Sequence, residues 1–197
     1  MFFQFDFDPS PDVADQSLED LDAIWDEQGP FEAILGFSQG AAFTTVYLSH
    51  RQQTYGEHGF DRAVMVSGYL LKDQPGLITD KIIPESPFDD IPSLHWIGRF
   101  DDVITPEQSE EVLQFYTDPI VAVDRDGVHD VPRDGSVRFD DVVAFLRGED
   151  VCLDDPLARA GNKDCVYAAS NPEVCSRSFE GQLVSDICPE SCGTCGA

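Results

Sequence analysis

Apolar positions along the chain change their spacing several times, and each change marks an element. Leu18, Leu21, Ile24 and Trp25 fall on one face of a helix. Ser17, with Asp20 three residues on, has the form of a helix N-cap, and Gly29-Pro30 stops the pattern. Phe31 to Phe37 (FEAILGF) is a short apolar run of the kind buried in a parallel sheet. Ala41 to Gln52 is helical in character. Arg62 to Ser67 (RAVMVS) and Ser93 to Ile97 (SLHWI) are two further apolar runs bounded by turn residues. Glu107 to Phe115 reads as an amphipathic helix, Ile120 to Val123 (IVAV) as a strand and Val137 to Leu146 as a closing helix. Lys72 to Asp90, rich in Pro and Asp, reads as a loop or a short cap. Strands alternating with helices predict an α/β fold with a mostly parallel sheet covered on both faces.

Composition divides the chain near residue 150. All six cysteines, at 152, 165, 175, 188, 192 and 195, lie beyond it. The 197 residues suit one medium domain, about 1–148, and one small module, 152–195. Charge changes the picture of partners. With 38 acids against 12 bases the formal net charge is −26, and no Lys or Arg precedes Arg51. Such a surface repels phosphate backbones and anionic lipid, so nucleic acid is not an expected partner. No apolar run has the length of a membrane span, and Met1 to Asp8 (MFFQFDFD) lacks the features of a signal peptide.

Gly36-Phe37-Ser38-Gln39-Gly40 matches G-x-S-x-G between a strand and a helix. That motif sets a serine on a strained strand-to-helix turn with its hydroxyl exposed. The expectation is that a side chain at either glycine would clash with the turn, and that the N–H of Gln39 serves as an oxyanion donor. Two partners follow in the chain order serine, acid, histidine. Asp101 stands in the segment after the SLHWI run, with Asp102 as the alternative acid. His129 stands in the loop after IVAV, where it can take and return a proton. Of the other histidines, His50 and His58 read as surface residues and His95 as a core residue.

These segments resemble the FSH family of serine hydrolases, an α/β-hydrolase subgroup. The likeness is carried by Phe31 to Ala42 (FEAILGFSQGAA), Ser93 to Ser109 (SLHWIGRFDDVITPEQS) and Gly127 to Pro132 (GVHDVP), and runs loosely from about residue 2 to 147. It implies an α/β-hydrolase fold, a catalytic set of Ser38, Asp101 and His129, and hydrolysis of carboxylic esters or thioesters of small or lipid-like acids. No metal or organic cofactor is implied. Family members begin with a strand and a His-Gly loop that supplies a second oxyanion N–H. Here Phe2 to Asp6 (FFQFD) resembles the stretch that follows that unit. The resemblance therefore implies a chain lacking the first strand-helix-strand unit, as a truncated gene product or fragment, or as a shortened pseudoenzyme.

Six cysteines within residues 152–195 suit a small disulfide-stapled module in an oxidising compartment. Six allow about 15 pairings, which spacing leaves open. A zinc site at Cys188, Cys192 and Cys195 is the weaker reading, because no histidine lies nearby. Cys152-Leu153-Asp154 and Cys188-Pro189-Glu190-Ser191-Cys192-Gly193-Thr194-Cys195 resemble the opening and close of a ShKT domain. That resemblance implies pairings 152–195, 165–188 and 175–192, and an accessory role with a protein partner. Channel block is not expected, since the second half of the module has Arg177 as its one base and no Tyr.

Three readings of function emerge. The first is a serine esterase or thioesterase of the secretory pathway or cell exterior, with a cytoplasmic location as the alternative. The second is a non-catalytic binding protein on the same fold. The third is another α/β-hydrolase type, such as an acyl-protein thioesterase or a dienelactone hydrolase.

Overall fold

The computed structural model describes residues 11–71, 88–136, 138–149, 151–154, 165–179 and 182–194. The first helix, α1, spans Pro11–Gln28. It starts earlier than the Ser17 signal predicts. Ser17 lies inside the helix and is buried, because Ala14 and Leu18, one turn apart, extend the buried face toward the N-terminus. Proline is tolerated in a first helical turn, where its missing N–H has no acceptor in any case.

Next come β1 (Ala33–Phe37), α2 (Gln39–Tyr55), β2 (Arg62–Val66) and β3 (Ser93–Gly98). A short α3 (Pro106–Glu110) precedes β4 (Ile120–Asp124) and α4 (Phe139–Leu146). The predicted helix 107–115 is broken. Thr105 closes a capping box with Gln108 ahead of α3, but the chain then tightens into a 3-10 turn at Leu113–Phe115. Tyr116 leaves that turn in extended conformation, and its hydroxyl meets Thr45 Oγ1 at 3.0 Å inside the core. A buried phenol needs a polar partner, and that need outweighs continuing the helix. Most of the predicted loop 72–90 lies outside the described residues.

The four strands pair in the order β1-β2-β3-β4, all parallel. Side chains alternate across the sheet. Ala63 and Met65 enter one core with Val46, Leu48 and Leu18; Val64 and Val66 enter another with Leu94, Trp96, Val142 and Phe145. The sheet is thus covered on both faces. Among the described residues, β1 has a strand partner on one side only.

Polar ties fix α1 to α2. Asp22 accepts hydrogen bonds from Tyr47 at 3.1 Å and Tyr55 at 2.9 Å, and lies 2.9 Å from His50 Nε2. Arg51 stacks on Trp25 at 4.0 Å and donates to the His58 carbonyl. His58 is therefore not a surface residue: it is 6% exposed, because the chain folds back beneath Arg51 and brings Asp90 within 3.1 Å of its ring. His95 is buried in β3, 3.2 Å from Ser93 Oγ, and burial pushes its pKa down to about 3.

Beyond residue 150, regular structure comes in small pieces. These are α5 (Cys165–Ser170), a 3-10 turn (Pro172–Val174), the two-residue strands β5 (Ser178–Phe179) and β6 (Gln182–Leu183), α6 (Val184–Ile187) and α7 (Pro189–Cys192). Disulfides join Cys165 to Cys188 and Cys175 to Cys192. The pairing implied for Cys152 with Cys195 lies outside the described residues through Cys195.

Candidate active site

Three parallel strands end on the same rim, and each delivers one polar side chain to it. Ser38 stands between β1 and α2 with φ 54 and ψ −119, a strained conformation for a non-glycine residue. Its N–H donates to Val66 O at 2.9 Å, which ties the turn to β2. The strain has a visible cause at Gly36. A Cβ there would lie 2.4 Å from Gly40 O and 2.5 Å from Thr44 Oγ1, so only glycine lets α2 start this close to the strand. The expected clash at Gly40 does not occur. Among the described residues a Cβ at that position meets nothing within 4 Å, because Gly40 lines a groove instead of facing the turn.

Asp101 follows β3 and His129 follows β4. Their loops cross backbone to backbone: a Cβ on Gly98 would lie 2.8 Å from Val128 O, and one on Gly127 would lie 3.0 Å from Gly98 Cα. Phe100 N–H donates to Gly127 O at 2.8 Å, locking the two loops together. His129 Nδ1 is 2.8 Å from Asp101 Oδ2, and His129 Nε2 is 2.9 Å from Ser38 Oγ. An ionised carboxylate only accepts, so Nδ1 carries the proton and Nε2 is free to accept from the Ser38 hydroxyl. The ring of Phe37 lies 4.9 Å from the imidazole and flanks it. Asp102, the alternative acid, is exposed.

Asp101 is nearly enclosed, at 4% exposure. Burial alone would raise its pKa. Hydrogen bonds from His129, from the Ile104 N–H at 2.8 Å and from the Val103 N–H at 3.0 Å outweigh that and hold it below the usual carboxylate range. The buried hydroxyl of Ser67, beside the carboxylate but short of full hydrogen-bond geometry, acts in the same direction. Ser67 and Phe37 are the residues that sequence reasoning passed over. The available signal for Ser67 was a polar residue at the carboxyl end of a buried strand.

The arrangement can move a proton from a hydroxyl to an imidazole while a carboxylate holds the resulting cation. Gln39 opens α2, so its N–H belongs to the first turn, where no intrahelical acceptor exists. A mostly apolar groove of about 460 Å³ lies beside β1, lined by Leu21, Trp25, Phe43 and Phe60 and by Phe37 and Gly40, either side of Ser38 in the chain. Three acidic or sulfur groups, Asp154, Cys165 and Cys188, also come together, but both sulfurs are taken up in a disulfide and are not thiolate ligands.

A family model described as Serine hydrolase (FSH1) matches residues 2–139. The Esterase OVCA2 of Xenopus tropicalis is 35% identical over 115 residues, 58% of this chain and 47% of that protein. The Esterase OVCA2 of Danio rerio is 33% identical over 125 residues, 63% of this chain and 53% of its own. The chain thus spans about half the length of these relatives. In structure it is similar to MGS-M1, an alpha/beta hydrolase enzyme from a deep-sea metagenome library. The two share 15% identity and a TM-score of 0.50 over 70% of this chain and 64% of that one, a likeness of fold alone.

Proposed function

The chain belongs to the Serine hydrolase (FSH1) family, and from that premise we propose that it hydrolyses carboxylic esters or thioesters with Ser38 as nucleophile, His129 as general base and acid, and Asp101 as the group that orients and stabilises the imidazole. The observation that carries this is the unbroken line of contacts from Ser38 Oγ to His129 at 2.9 Å and from His129 to Asp101 at 2.8 Å.

Ser38 Oγ attacks the substrate carbonyl as its proton passes to His129 Nε2. The tetrahedral oxyanion accepts from the Gln39 N–H, whose free position at the start of α2 supports that role. His129 then protonates the leaving alcohol or thiol. Water, activated by the same imidazole, releases the acid from Ser38. Each step uses a group already at the rim. Small-molecule esters are the substrate class consistent with relatives named esterases. The six-cysteine region, which we read as ShKT-like, favours an oxidising compartment and an accessory role.

The competing reading is a hydrolase fold that binds without turnover. One experiment separates them. A fluorophosphonate probe is expected to label the wild-type chain, and Ser38→Ala is expected to abolish labelling without shifting the melting temperature. A folded wild-type protein that never labels would leave the binding reading in place.

A further inference from the structure

The segment that carries His129 is tethered at its two ends. At the front, Gly127 O accepts from Phe100 N–H at 2.8 Å. Among the described residues, the backbone N–H groups from Val128 to Ser136 donate within the segment, and Ser136 O accepts from Phe139 N–H at 3.3 Å at the start of α4. Asp130 N–H donates to Val128 O, Val131 N–H to Asp130 Oδ1, Arg133 N–H to Ser136 Oγ and Ser136 N–H to Arg133 O.

The rear tether is Arg138, the residue that precedes α4. Its φ of 67 lies in the left-handed region, unusual for a residue with a side chain, so its surroundings must hold it there. The side chain is 23% exposed. It donates in parallel to Glu190, Nη1 to Oε1 at 3.0 Å and Nη2 to Oε2 at 2.9 Å, and to Asp141 Oδ2 at 3.3 Å. A fork of this kind fixes orientation as well as distance.

Glu190 stands on α7, between Cys188 and Cys192, each bonded to another part of the cysteine-rich region. Asp154 accepts the Ser191 N–H at 2.9 Å and so holds α7 to the connecting segment. In that segment Val151 and Leu153 pack against the core that contains Val142 and Phe145. Fixed contacts therefore run from the disulfides through α7 and Glu190 to Arg138, at the back of the segment that carries His129.

We propose that Arg138 is a positioning residue for His129, and that the cysteine-rich region sets the geometry of the hydrolase site through Glu190. The role assigned to His129 rests on the function proposed above; the tether itself does not. Glu190→Gln keeps the size of the side chain and removes the charge, and Arg138→Lys keeps the charge and removes the fork. The test uses the full chain: hydrogen exchange across 128–136, the melting temperature, and kcat and KM on a p-nitrophenyl ester. Both variants are expected to exchange faster across 128–136 and to lose about tenfold in kcat, with KM and melting temperature unchanged. The exchanged pair, Arg138→Glu with Glu190→Arg, is expected to recover part of the loss.

Unchanged exchange in both single variants would overturn the proposal. Faster exchange with wild-type kcat would overturn it too, leaving a tie with no bearing on His129. If the wild-type chain turns over no ester, the hydrolase reading falls by itself, and the exchange arm still upholds or overturns the tether.

Discussion

The two ends of this chain reach a fixed shape by different physics. Residues up to about 149 bury Leu48, Val64, Met65 and Leu94 completely on two faces of a parallel sheet, and have no cysteine to help them. Among the described residues, the C-terminal region has a small core of Cys165, Ala168, Val184 and Cys188 with Val174 and Ile187 packed against it, strands of two residues and helices of four to six. The disulfides Cys165–Cys188 and Cys175–Cys192 supplement that small apolar volume, since such a core does little to offset the entropy of ordering its chain. The contrast also separates roles. A rigid sheet can hold three side chains at hydrogen-bond distance on one rim. A cross-linked module of short turns can present a fixed side chain, such as Glu190, to a neighbour.

The sharpest way to break this comparison is to damage each region by its own means. Leu48→Ala empties the centre of α2, where the side chain is 0% exposed, and is expected to cost about 2–5 kcal/mol, read by urea unfolding of the sheet. Hydrogen exchange in 165–194 should stay unchanged; a matching loss there would show the two cores to be one cooperative unit. Removing Cys175 and Cys192 together, as serines, should have the converse effect. The expected cost is about 3 kcal/mol for a cross-link closing a loop of this size, confined to the C-terminal region. Loss of the sheet in that variant would contradict the division.

At neutral pH the smallest of these effects is that of His95 in the sheet, which appears only on acidification. The native state holds His95 neutral, with its pKa pushed down to about 3 from the ordinary 6.5. The unfolded chain takes up that proton first, so stability from this residue is complete above 6.5 and is lost as pH falls from there toward 3. His95→Gln should flatten the stability profile across that window, measured by urea unfolding at a series of pH values. An unchanged slope would mean that other groups set the acid limb.

Most of the elements were legible because their signals are local. The five residues Ala33 to Phe37 are apolar and short and form the expected strand, though not a buried one: Leu35 is 41% exposed and of the five only Gly36 is buried; G-x-S-x-G at its end places Ser38 on the turn. Ser17 misled because a cap signal is local too, while the start of α1 follows from what Ala14 packs against. His58 misled for the same reason: nothing in its neighbours along the chain announces that Arg51 will cover it. Gly40 shows the reverse error. The motif suggested crowding at both glycines, but crowding depends on which atoms arrive from elsewhere, and among the described residues they arrive at Gly36 and not at Gly40.

What this sequence determined unaided is a set of periods and punctuation: the parallel α/β order, the serine turn, an acid and a histidine each placed after a strand, and a cysteine-rich tail. Those follow from backbone preferences and the side-chain alternation of each segment alone. The tertiary structure alone decided that Asp101 and not Asp102 meets His129, that Ser67 and Phe37 attend that pair, and that Arg138 answers to Glu190. Each of these is a distance between residues far apart in the chain, set by how the strands register and how the loops between them pack.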